Sequence, residues 1–262
     1  MKSAPAQTIV LALLGASRGR ALPARVLVGG AAILGVTGNA TRLALSRLLS
    51  KGELVSTERG RYQLSTLRRS ANAHVRAFKT GFAQRTTWKG GFLAVLTGDL
   101  PRTNATAIAR RERALNLSGF RIFRHGVWVR PDNLAGGRVV VDAHLRRLGL
   151  DADADTVTLH LDPEQARLVE RAWAIDDDAA KALELTRRVQ AFLVKTHRTR
   201  QAEAAESFWL GDEVLRFLAR DPLLPDTMAD PDPRRRLADA MAALDERGFA
   251  TWSALLEELE HD

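Results

Sequence analysis

Gly35-Val36-Thr37-Gly38-Asn39-Ala40-Thr41-Arg42-Leu43-Ala44-Leu45-Ser46-Arg47-Leu48-Leu49-Ser50-Lys51-Gly52 is the most informative run of the chain. From Ala40 the small and apolar residues Ala40, Ala44, Leu45, Leu48 and Leu49 fall at i, i+4, i+5, i+8 and i+9, which is one face of an α-helix. Asn39, Arg42, Leu43, Ser46, Arg47 and Ser50 then face outward, so one side packs and the other presents hydrogen-bond donors. Asn39 closes a Gly-containing turn and is of the type that caps a helix N-terminus; Lys51-Gly52 supplies the stop.

Working outward, Gln7–Leu14 reads as an apolar helix, and Ala24–Leu34 as a second that starts at Pro23 and offers Val26, Leu27 and Ile33 to a core. On the other side, Leu54–Thr57 and Arg61–Leu64 are two short strand-like runs. Glu58-Arg59-Gly60 joins them, with a glycine where a hairpin turn needs positive φ. Three helices closed by a basic hairpin form a winged helix-turn-helix pattern over residues 1–66. In such a pattern a helix enters the major groove and the hairpin's arginines meet phosphate or the minor groove. DNA contact is expected from Asn39, Thr41, Arg42, Ser46 and Arg47 on the helix and from Arg59 and Arg61 on the wing. Asparagine suits adenine and arginine suits guanine.

Charge supports the same direction. Residues 1–150 carry 25 Lys and Arg against 6 Asp and Glu, a net +19, whereas residues 151–262 carry 14 against 25, a net −11. A formal net charge of +8 therefore conceals a bipolar chain. So large an excess on one half repels itself unless a polyanion uses it, and nucleic-acid phosphate is the commonest. The absence of cysteine excludes disulfide frameworks, cysteine-based zinc sites, iron–sulfur clusters and thiol nucleophiles, and fits a reducing, cytoplasmic setting. The apolar run Thr8–Gly15 falls well short of a membrane span, for which about 20 residues are needed, so no membrane partner is expected.

The 262 residues leave room for further domains. Residues 67–86 are polar and basic and read as a connector helix. Over 87–162 a strand (Gly91–Leu96), a helix (Thr103–Leu117), two strands (Phe120–Phe123, Val127–Arg130), a helix (Val139–Leu148) and a strand (Thr156–Leu161) give a ferredoxin-like order. Residues 163–262 read as helices only: Pro163–Trp173, Ala179–Thr196, Glu203–Ala219, Arg235–Arg247 and Thr251–Leu259, with a proline-rich loop over Asp221–Pro233. The expected class is α+β: an N-terminal winged helix-turn-helix, a central ferredoxin-like domain and a C-terminal all-helical domain.

With those elements in place, the run Ala40–Leu48, then Lys51-Gly52-Glu53-Leu54 and Gly60-Arg61-Tyr62-Gln63-Leu64, resembles the winged-helix domain of the phenylacetic-acid degradation repressors, the PaaX family. Similar segments follow in the same order: Trp88-Lys89-Gly90-Gly91, Gly119-Phe120, Gly126-Val127-Trp128-Val129-Arg130-Pro131, Trp173-Ala174-Ile175 and Asp221-Pro222-Leu223-Leu224-Pro225. Asp230-Pro231-Asp232-Pro233-Arg234 departs from the Trp-Pro-Gly segment that the family often places after the last of these. The resemblance implies a homodimeric transcriptional repressor that binds a palindromic operator in double-stranded DNA and is released by an aryl-CoA thioester such as phenylacetyl-CoA.

A CoA-thioester sensor needs cations for phosphates beside an apolar slot. Arg198, Arg200, Arg234, Arg235 and Arg236 are the candidates, near the aromatic residues Trp173, Phe192, Phe208, Trp209, Phe217 and Trp252, which at helical spacing are more often core. No catalytic residue, metal ligand or cofactor is assigned, because the six histidines are scattered and no nucleotide or nucleophile motif appears. Two alternatives stand beside the regulator: a metal-dependent nuclease using Asp99 of the central domain, and a DNA-binding protein with no effector.

Overall fold

The computed structural model describes residues 4–17, 19–66 and 85–261. The proposed connector over 67–86 lies almost wholly outside the described residues. The architecture is mixed helix and sheet, with two small antiparallel sheets and a helical C-terminal region.

Two compact units emerge, and neither is one continuous stretch. The first takes the described residues of 1–77, 186–215 and 239–262. Here α1 (Ala6–Ala16), α2 (Ala24–Ile33) and α3 (Gly38–Ser50) pack on one another. A three-stranded sheet of β1 (Leu22–Pro23), β2 (Leu54–Glu58) and β3 (Arg61–Leu64) runs in the order β1-β3-β2. Ile9, Leu13, Leu22, Leu27, Leu45, Leu48 and Leu64 are in its core. The same core takes in Ala204, Trp252, Leu255 and Leu256 from the C-terminal helices, and the Trp252 indole donates to the Ala204 carbonyl at 3.1 Å.

The second unit takes residues 78–185 and 216–238, so far as they are described. Its sheet contains β4 (Phe92–Leu96), β5 (Arg121–Arg124), β6 (Val127–Pro131) and β7 (Asp155–Leu159), in the order β5-β6-β4-β7 with every neighbour antiparallel. Two helices, α4 (Ala105–Leu117) and α5 (Gly137–Leu148), supply Leu115, Val141 and Leu145 to a core with Leu93, Val95 and Trp128. Successive side chains of a strand point to opposite faces, so Phe92, Ala94 and Val129 meet a different set: Val169, Trp173 and Leu224. The β5–β6 turn needs a glycine: Gly126 has φ +73°, and a Cβ there would come within 2.7 Å of the Gly98 backbone.

The remaining helices are α6 (Pro163–Glu170), α7 (Ile175–Val194), α8 (Arg200–Leu218) and α9 (Asp232–His261). Asp176, Asp177 and Asp178 fill the first turn of α7, where carboxylates complement the helix dipole. The sequence predicts separate helices at 235–247 and 251–259; the structure has a single α9. Gly248 does not interrupt it: a glycine inside a helix costs only about 1 kcal/mol against alanine, and Leu244, Trp252 and Leu255 on either side of it are buried.

Candidate nucleic-acid interface

The sequence of α3 dictates its two faces. Thr41, Ala44, Leu45 and Leu48 are buried, at i, i+3, i+4 and i+7, whereas Asn39, Arg42, Leu43, Ser46, Arg47 and Ser50 are exposed. The helix starts at Gly38, and the cap is Thr37 rather than Asn39: the Thr37 hydroxyl accepts from the Ala40 N–H at 3.3 Å. Asn39 thereby keeps its side-chain amide for the exposed face.

Two expected contact residues need correction. Thr41 is fully buried, and its hydroxyl donates to the Thr37 carbonyl at 3.0 Å. A threonine satisfied by the preceding turn in this way can be packed like an apolar residue. Arg61 is committed to the fold: its guanidinium donates to the Ala21 carbonyl at 2.9 Å and to Glu260 Oε1 at 2.8 Å. Arg20 reaches the other Glu260 oxygen at 3.4 Å, and Arg25 donates to the Leu259 and Glu260 carbonyls. Three arginines of the N-terminal segment thus hold the last turn of α9. Arg59, at the hairpin tip, is exposed. Among the described residues no ion pair involves Arg42, Arg47 or Arg59.

The Arg61 hydrogen bond holds the Glu260 carboxyl below its ordinary value. A carboxyl depressed in the folded state stabilises above its unfolded pKa, about 4.3 for glutamate, and that contribution disappears as the pH falls through the lower folded value. Protection factors in the last turn of α9, exchange rates taken relative to the unfolded chain at the same pH, are therefore expected to fall on acidification below that range. Arg61→Gln should lower them in the same way at neutral pH; unchanged protection in that variant would contradict the assignment.

The arginines expected to hold an anionic effector are divided between the two units. Arg198 is exposed, and Arg200 pairs with Glu258. In the second unit, Arg234 is buried against Asp221 at 2.8 Å, Arg236 pairs with Asp232 at 2.6 Å, and Arg235 lies 3.9 Å from Asp226. Trp173, Phe192 and Trp252 are buried in cores. The second unit does carry an open groove of about 600 Å³, lined by Arg167, Arg171, Trp173, Asp176, Asp177 and Met228, whose charges are of both signs. Asp99 is exposed, and among the described residues no group of three or more histidine, aspartate or glutamate side chains is placed to hold a metal ion.

One constellation escapes a residue-by-residue reading. Arg130, on β6, is 3% exposed and donates to the carbonyls of Ser118, Pro131 and Pro222 and to Asn133 Oδ1. Burial lowers its guanidinium to about 10, still charged at neutral pH. Asn133 in turn donates to the Leu223 carbonyl at 2.7 Å, and Leu223 adopts φ +53°. Gly119, at φ +78°, lies so close to Pro222 that a Cβ would approach its Cα to 2.8 Å, and the Trp173 indole donates to the Gly119 carbonyl at 3.2 Å. Four motifs quoted separately from the sequence, around 119, 130, 173 and 221–225, are therefore one packed locus. The signal available beforehand was a charged residue in the apolar strand Val-Trp-Val-Arg-Pro.

No protein-family model matches the sequence, and no curated protein is significantly similar to it. A solved structure is similar in fold: the uncharacterized protein Rv0674 from Mycobacterium tuberculosis, 22% identical, with a TM-score of 0.63 over 95% of this chain and 99% of that one.

Proposed function

We propose that the protein is a sequence-specific DNA-binding transcriptional regulator, with residues 1–66 as a winged helix-turn-helix and α3 as its reading helix. The observation that carries this reading is the exposed face of α3. It holds two arginines, an asparagine and two serines, includes no carboxylate, and belongs to the same unit as a hairpin tipped by Arg59. The helix–strand–helix–helix–strand–strand order, with β1 joined to β3, supports it, since that layout presents a helix and a hairpin to duplex DNA.

The finer reading is a homodimeric repressor with a ferredoxin-like middle domain, acting on a palindromic operator and released by an aryl-CoA thioester. It rests on the resemblance to the phenylacetic-acid degradation repressors and on the strand order β5-β6-β4-β7. The test is a fluorescence-anisotropy titration of the whole protein against duplexes from upstream of its own gene at several salt concentrations. Affinity should fall linearly with salt on logarithmic axes, and Arg59→Ala should reduce that slope by about one phosphate contact. Failure to retain any such duplex at low ionic strength would overturn the reading.

A further inference from the structure

Among the exposed residues of α3 one does not belong with the others. Leu43 is 52% exposed, the large apolar side chain that α3 leaves in solvent, while Leu45 and Leu48 of the same helix are buried. A single exposed leucine needs no explanation by itself; its position does. At about 100° per residue, Asn39, Leu43, Ser46 and Ser50 form the central stripe of the exposed face. Arg42 and Arg47 are five residues and so about 140° apart around the axis, one on each side of that stripe. In a helix lying in a groove, the flanking positions meet the two sugar–phosphate walls or the outer base edges, and the central stripe meets the groove floor.

We propose that Leu43 is a specificity-determining residue that packs against the 5-methyl group of a thymine in the major groove. The inference rests on the reading of α3 as the DNA-reading helix and adds the chemical group recognised. The thymine methyl is the one apolar feature of the major-groove floor, and apolar side chains are what read it. Asn39, one helical turn before Leu43 on the same stripe, has the donor and acceptor pair that suits adenine. The two together favour an A·T-containing half-site. A leucine here also acts against the alternatives, because a methyl-free pyrimidine leaves it facing a gap and a cytosine amino group would lose its hydration against it.

The test uses the whole protein and a random duplex pool, from which bound sequences are enriched. Each thymine of an enriched duplex is then replaced in turn by uracil, which lacks only the methyl group. At one position per half-site the exchange should weaken binding roughly four-fold, the equivalent of about 0.8 kcal/mol for one buried methyl-sized group. Leu43→Ala should bind the thymine and uracil duplexes alike while keeping the salt dependence of the parent, and its exposed position and alanine's helix preference keep the fold intact. Equal binding of thymine and uracil duplexes at every position by the parent would overturn the inference and leave the DNA-binding reading standing. Discrimination that persists in Leu43→Ala would do the same. If the pool yields no bound duplex at low salt, both fall together.

Discussion

Arg42→Ala is expected to weaken binding to an enriched duplex by one to two orders of magnitude, with thermal unfolding unchanged. A good bidentate arginine contact to a base is worth about 1–3 kcal/mol, and each 1.4 kcal/mol is a factor of ten. Arg42 is exposed, with no ion pair among the described residues, so the folded state loses little when it is truncated. Arg47→Ala, on the opposite flank, distinguishes the two roles available to these arginines. A base contact costs affinity for one sequence only, whereas a phosphate contact costs affinity for every duplex alike and lowers the salt slope. Unchanged affinity of Arg42→Ala in a gel-shift titration would remove this residue from the interface.

Arg130→Met is expected to lower the stability of the second unit by about 3 kcal/mol, the cost of leaving buried acceptors unpaired. The Ser118, Pro131 and Pro222 carbonyls and Asn133 Oδ1 would lose their donor in a site shielded from water. For a protein of this size such a loss shifts the midpoint by roughly 2–4 °C per kcal/mol, so scanning calorimetry should show a drop of roughly 6–12 °C in the transition of that unit. Arg130→Lys makes the comparison sharper. It keeps the positive charge, but a single ammonium cannot span the fork of acceptors, and it should be nearly as destabilised. If the lysine variant matched the parent, charge rather than the planar donor array would be what the site requires.

How far the sequence could be read depended on whether each signal was local. The mixed α and β character was open to inspection, because apolar residues repeat at helical spacing in 40–50 and as short β-rich runs at 54–64 and 92–96. Thr41 shows the first limit: polarity alone places it outside, and only the Thr37 carbonyl one turn earlier explains why it is inside. Thr37 and Asn39 are both cap-type residues two positions apart, and composition cannot choose between them. Arg61 shows the second limit. Its partner Glu260 is 199 residues away, so nothing in the surrounding sequence tied a hairpin arginine to a helix end. The arginines at 234–236 differ in that their partners, Asp221, Asp226 and Asp232, lie just upstream, and Asp232 is one helical turn from Arg236. Periodicity finds the C-terminal helices but does not say what they cover.

What they cover bears on how the molecule can be taken apart. Ala204, Trp252, Leu255 and Leu256 complete the core against which α1 and α2 lie, and among the described residues the chain passes between units after residues 185, 215 and 238. A fragment cut at residue 66 would lay bare the leucine-rich side of its helices and should clump rather than serve as a minimal DNA-binding module. The same interdependence means that a lesion in the final helix, far along the gene, can unsettle the amino-terminal helices.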